Sequence, residues 1–128
     1  MFDSQTIQMQ GTTSTDLYSP WFSRGGDYGL FTVEVVAIGG GGTVTMAVAM
    51  IQKNASDTGD GSGLSGVSAI SRTTAGRTTK DFQAGVDSSA FAGFKELVRY
   101  KFTISGGSSG VTSWATFRML PPTWYDKV

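Results

Sequence analysis

Apolar and polar side chains alternate along much of this chain, most clearly where Val98, Tyr100, Phe102 and Ile104 take one face and Arg99, Lys101 and Thr103 the other. A period of two is that of a strand whose side chains point in turn to the two faces of a sheet. This segment therefore reads as a half-buried antiparallel strand. The next segment repeats the pattern, with Val111, Ala115, Phe117 and Met119 set against Thr112, Trp114, Thr116 and Arg118. The linking Ser105-Gly106-Gly107-Ser108-Ser109-Gly110 reads as a hairpin loop. Earlier in the chain, Leu30 to Ile38 and Thr43 to Lys53 form a second alternating pair, with Phe31, Val33 and Val35 in one and Val44, Met46, Val48 and Met50 in the other. Gly39 to Gly42 join them, and glycines suit the positive-φ positions of hairpin turns, so a second hairpin is expected.

Weaker signals add short strands at Ile7 and Met9, at Val67 to Ile70 and at Asp81 to Val86. Ser88 to Phe94 predicts one helical turn capped by Ser88 or Ser89, and no other segment has a helical period. Asn54 to Gly66, rich in Gly, Ser and Asp, is the longest loop. The expected fold is a single all-β domain over residues 1–128, an antiparallel sandwich of about seven or eight strands with jelly-roll or immunoglobulin-like topology.

Composition narrows the chemistry. The 128 residues include no cysteine and no histidine, which removes disulfides and the common zinc and copper sites. Ten basic residues balance ten acidic ones, so the broad positive field of a nucleic-acid or membrane-surface binder is missing and neither partner is expected. Weak self-repulsion favours association, and a homo-oligomer is expected. The N-terminal Met1-Phe2-Asp3-Ser4-Gln5-Thr6 has no basic or long apolar stretch, which predicts synthesis in the cytoplasm.

Asp57-Thr58-Gly59 matches the aspartic-protease triplet, but the flanking Lys53-Asn54-Ala55-Ser56 and Asp60-Gly61-Ser62-Gly63 have the character of a solvated turn. Asp57 and Asp60 supply too few carboxylates for a calcium loop. A serine nucleophile would need a base, and without histidine or a Ser-x-x-Lys setting none is evident. The glycine run at 39–42 lacks the Lys-Ser/Thr and helix of a phosphate loop. Glu34 and Glu96 remain as a carboxylate pair that could meet in space, although each is expected on a solvent face. No enzyme activity, metal or cofactor is expected.

The aromatic side chains carry more information. Tyr18-Ser19-Pro20-Trp21-Phe22-Ser23-Arg24-Gly25-Gly26-Asp27 sets three rings beside a proline and a glycine pair, and Pro121-Pro122-Thr123-Trp124-Tyr125-Asp126 closes the chain with two more. Rings outside the strand alternation need another surface to cover them. They either lid the open ends of their own sandwich or face a partner, since Trp, Tyr and Arg anchor protein interfaces and stack on sugars. Segments 1–27 and 120–128 are thus the expected contact regions.

The run Tyr18 to Asp27, followed by Phe31-Thr32-Val33-Glu34-Val35, resembles small head proteins of tailed bacteriophages, the capsid decoration or cement group. The resemblance covers about the first half of the chain. It implies a virion protein that sits on an assembled shell, contacts the major capsid protein or another virion protein, and reinforces the shell as a symmetric oligomer. Tyr18, Trp21, Phe22, Arg24, Trp124 and Tyr125 are the expected contact residues. Two further readings stay open: a carbohydrate-binding module with Trp21, Trp114 and Tyr125 as its stacking platform, and a small tail or neck component of the same kind of particle.

Overall fold

A computed structural model describes residues 6–12, 14–26, 28–63, 69–83 and 95–125, with residues 28 and 80–83 entering by their backbone alone. The alternating segments are strands, as their period requires: β1 (Ile7–Gly11), β2 (Thr15–Tyr18), β3 (Phe22–Ser23), β4 (Tyr28–Gly39), β5 (Val44–Lys53), β6 (Ser62–Gly63), β7 (Ile70–Arg72), β8 (Gly76–Gln83), β9 (Leu97–Gly106), β10 (Ser113–Met119) and β11 (Thr123–Tyr125). These eleven occupy eight lanes in two antiparallel sheets, because β3 continues the lane of β2, β11 that of β10, and β6 shares a lane with β7. The first sheet runs β1-β10-β4-β8 and the second β2-β9-β5-β7.

The pairs β1·β10, β2·β9, β4·β8 and β5·β7 nest inside one another like the two arms of a long ribbon. The ribbon is rolled so that β10 meets β4 and β9 meets β5, which is the order of a jelly roll. The inward residues of both sheets, among them Phe31, Val33, Val35, Met46, Val48, Tyr100, Phe102 and Phe117, form one core. Phe102 and Phe117 meet across it with centroids 4.7 Å apart.

Neither expected hairpin is present. Gly39 to Gly42 carry the chain from β4 in one sheet to β5 in the other, and the Ser105 to Gly110 loop likewise links β9 to β10 across the sandwich. Both loops span the gap of about 10 Å between packed sheets, whereas a hairpin turn closes the shorter spacing between paired strands. They dock side by side at one end: Gly107 N–H donates to the Thr43 carbonyl at 2.8 Å, and Gly42 holds a left-handed φ of +79°. Val111, expected to face the core, lies before β10 and is exposed, and Ser113 takes the buried place instead. The strand expected at Asp81 begins earlier, at Gly76, and is described to Gln83. The strand expected over Val67 to Ile70 is seen at Ile70–Arg72, while Val67 and the Ser88 to Phe94 turn lie outside the described residues.

Two lanes are interrupted at proline. Between β2 and β3, residues Ser19, Pro20 and Trp21 stand opposite only Arg99 and Tyr100. Proline cannot donate to the ladder and is tolerated at such a bulge on an edge strand. Ser19 restores the missing pairing, since its N–H donates to the Tyr100 carbonyl at 3.0 Å and its hydroxyl accepts from Tyr100 N–H at 2.9 Å. Pro121-Pro122 likewise separates β10 from β11 along β4. Ser19→Ala leaves the buried Tyr100 N–H without its acceptor and is expected to lower unfolding stability by about 1–3 kcal/mol in urea denaturation. A variant as stable as wild type would show that the bulge does not depend on this hydroxyl.

Candidate functional site

The bulge at Pro20 positions the aromatic residues. The extra residue pushes Trp21 onto the outer face of the second sheet, while Phe22 turns inward against Tyr100 at 5.3 Å between centroids. On that outer face β9 presents Arg99 and Lys101, because Val98, Tyr100 and Phe102 point into the core. Lys53 at the end of β5 faces the same way.

Rings and cations here alternate in one row. Lys53 Nζ lies 4.7 Å from the Trp21 ring centroid. The Arg99 guanidinium lies 4.4 Å from Trp21 and 4.3 Å from Tyr18, and Lys101 Nζ lies 6.0 Å beyond on Tyr18. The order is therefore Lys53, Trp21, Arg99, Tyr18, Lys101, each cation within the range where a ring quadrupole attracts it. One Arg99 Nη also donates to the Asp60 carbonyl at 3.1 Å, which ties the loop after β5 to the row. Gly61 follows with φ +84°, and a Cβ there would lie 2.8 Å from the tip of Trp21, so the close approach requires glycine. At the far end the Asp16 carboxylate accepts from the Thr103 hydroxyl at 2.7 Å and lies 3.7 Å from Lys101 Nζ.

The six expected contact residues divide. Tyr18 and Trp21 belong to the row. Phe22 and Trp124 lid the end of the sandwich, where Trp124 stands edge-on to Phe31 at 5.4 Å. Gly25 makes room for Trp124, since a Cβ at that position would overlap the indole at 2.5 Å. Tyr125 pairs with Tyr28 at the end of the first sheet and is 45 % exposed, and Arg24 is exposed with its N–H on the Glu96 carbonyl. The three rings of a sugar platform are not assembled: Trp114 lies on the outer face of the first sheet against Gly39, Trp21 on that of the second.

The carboxylates are placed equally plainly. Glu34, on the outer face of the first sheet, accepts from Arg77 at 2.5 Å and Arg118 at 2.7 Å, whereas Glu96 precedes β9 of the other sheet. The Arg77 hydrogen bond is the largest influence on the Glu34 carboxyl; burial opposes it, Arg118 reinforces it, and the net result lies below the ordinary value. Such a group stays ionised and is a poor proton donor. Asp57 is exposed and accepts from the Asn54 N–H at 2.8 Å, so its carboxylate stabilises its own turn. Among the described residues no three acidic side chains gather where a metal could bind. A hollow of about 300 Å³ beside Thr73 and Thr74, at the glycine-loop end, has among the described residues a lining of apolar, glycine and threonine residues without a titratable group.

Arg99, Lys53 and Lys101 are the functional candidates that alternation alone misses, because each looks like an ordinary solvent-face charge. The available signal was the pair Arg99 and Lys101 on the polar side of the most apolar strand. No protein-family model, curated protein or solved structure matches the chain.

Two outcomes follow from this geometry. A double-mutant cycle of Trp21→Ala and Arg99→Ala, read by chemical denaturation, is expected to give a coupling of about 0.5–1 kcal/mol; additive losses would mean that the stacked pair contributes nothing. For Glu34, the folded carboxyl titrates below its ordinary 4.5. Its contribution to stability is therefore complete above that pH and lost as pH falls through the lowered folded value. The stability gap between wild type and Glu34→Gln should be widest near neutrality and close in acid, and a gap independent of pH would contradict the ion-pair origin.

Proposed function

We propose that this protein is a non-enzymatic structural protein of a virion, a decoration protein that binds the outside of an assembled phage shell and stabilises it. The observation that carries this reading is the row from Lys53 to Lys101, in which two large rings and three cations stand ordered on the outer face of the second sheet. Trp, Tyr and Arg are the residues that anchor protein interfaces, and rings that already hold their cations lose little freedom on docking. The jelly-roll order supports the reading by analogy, because that architecture recurs in capsid domains. Lectins share it as well, but the separation of Trp21 from Trp114 favours a protein partner over a sugar. Decoration works by repetition: many modest contacts, repeated by the symmetry of shell and oligomer, add through multivalency. The partner is the major capsid protein or another virion protein, the site of action the virion, and the site of synthesis the host cytoplasm.

The test is cosedimentation of the protein with purified shells, together with immunogold labelling of intact particles. Trp21→Ala is expected to weaken shell retention about tenfold, in keeping with loss of an interface anchor, while remaining folded. Trp124→Ala is expected to lower the melting temperature first, since its ring covers the core. Unlabelled particles, or retention indifferent to Trp21, would refute the assignment.

A further inference from the structure

The cations of the row are balanced in an unusual way. The chain carries as many acidic as basic residues, yet among the described residues neither Lys53 nor Arg99 has a carboxylate within ion-pair distance; both are held by rings. Among the described residues the buried Arg99 Nε has no partner, one Nη donates to the Asp60 carbonyl, and the other Nη has no acceptor. That remaining Nη carries N–H donors of the kind that bind an oxyanion. The two rings spend their faces on these cations, which disfavours a ligand read by stacking, such as a base or a sugar. The face also already accepts one carboxylate, that of Asp16, beside Lys101 and Thr103.

We propose that the outer face of the second sheet, at Lys53, Arg99 and Lys101, is the docking surface for an acidic segment of a protein partner. This rests on the decoration reading and gives that partner its chemistry: a segment whose Asp or Glu side chains reach Arg99 and Lys53 in the way Asp16 reaches Lys101. A protein carboxylate is favoured over nucleic-acid phosphate because the neutral chain lacks the field that gathers a polyanion.

The full chain is titrated with a fluorescein-labelled peptide of alternating glutamate and glycine, read by anisotropy, beside an oligothymidylate of equal charge. Saturable peptide binding that weakens with salt is expected. Arg99→Glu and Lys53→Glu should each lower peptide affinity about tenfold or more, and Arg77→Glu on the opposite face should leave it within about twofold. Trp21→Ala, which changes no charge, should also weaken binding by releasing Arg99. Thermal melts establish that each variant is folded, and if Arg99→Glu is not, Lys53→Glu at the strand end carries the test. No peptide binding, equal loss with Arg77→Glu, or tighter binding of the oligothymidylate would overturn the proposal. Shells that retain a protein indifferent to the peptide would sink this inference alone, whereas peptide binding without shell retention would sink the decoration reading and leave the acidic-segment site standing.

Discussion

The Tyr100 ring, wedged between the two sheets, is the contact on which the rest of the molecule depends. It packs on Phe22 from the broken edge lane, on Phe31 from the opposite sheet and on Phe102 along its own strand. Phe31 passes the contact on to Trp124, and Phe102 passes it to Phe117, so one chain of rings runs from the lidded end into the middle of the core. Its hydroxyl is buried and has no hydrogen-bond partner among the described residues, and burial pushes the phenol up from its ordinary titration range. An unpartnered hydroxyl is a standing cost, which the surrounding aromatic burial offsets. Because a strand alternates, fixing Tyr100 inward also fixes Arg99 and Lys101 outward. The row of rings and cations is in this sense the reverse side of the core.

Much of the fold could be read from alternation. The faces of β9, and of β5 as far as Met50, are legible from alternation, and the inward positions of Phe31, Val33, Val35, Ala115, Phe117 and Met119 are those the pattern implies; Ile51 and Gln52, both buried, depart from it. Partner choice was not legible. Alternation states which side chains are buried, but a strand in a sandwich can satisfy the same pattern by pairing with its neighbour in sequence or by facing it from the other sheet. Val36 illustrates a second limit: the register with β10 shifts there, leaving the residue half exposed and bringing Val35 and Ile38 to the same side. A bulge of this kind depends on the opposite strand, which local sequence does not contain.

The site was legible only in part, for a related reason. An excess of rings beside Pro20 marked Tyr18 and Trp21, but the cations that complete the row come from β5 and β9, far away in the chain. Their meeting is set by the pairing of β2 and β5 with β9. Rings outside the alternation can lid their own core or face a partner, and sequence leaves both open; the two broken lanes bring Phe22 and Trp124 against the mouth of the core.

Pro20 has one more consequence. Among the described residues the lane of β2 and β3 is an outer edge of its sheet, and an unbroken edge is a template on which a strand from another molecule can add. Here the missing N–H and the bulge that Ser19 closes interrupt the row of backbone groups midway, beside Trp21 on the outer face. Molecules crowded together at high local density would find that edge poorly suited to zipping into extended sheets, so that association is steered toward side-chain recognition on the faces and away from backbone pairing at this rim.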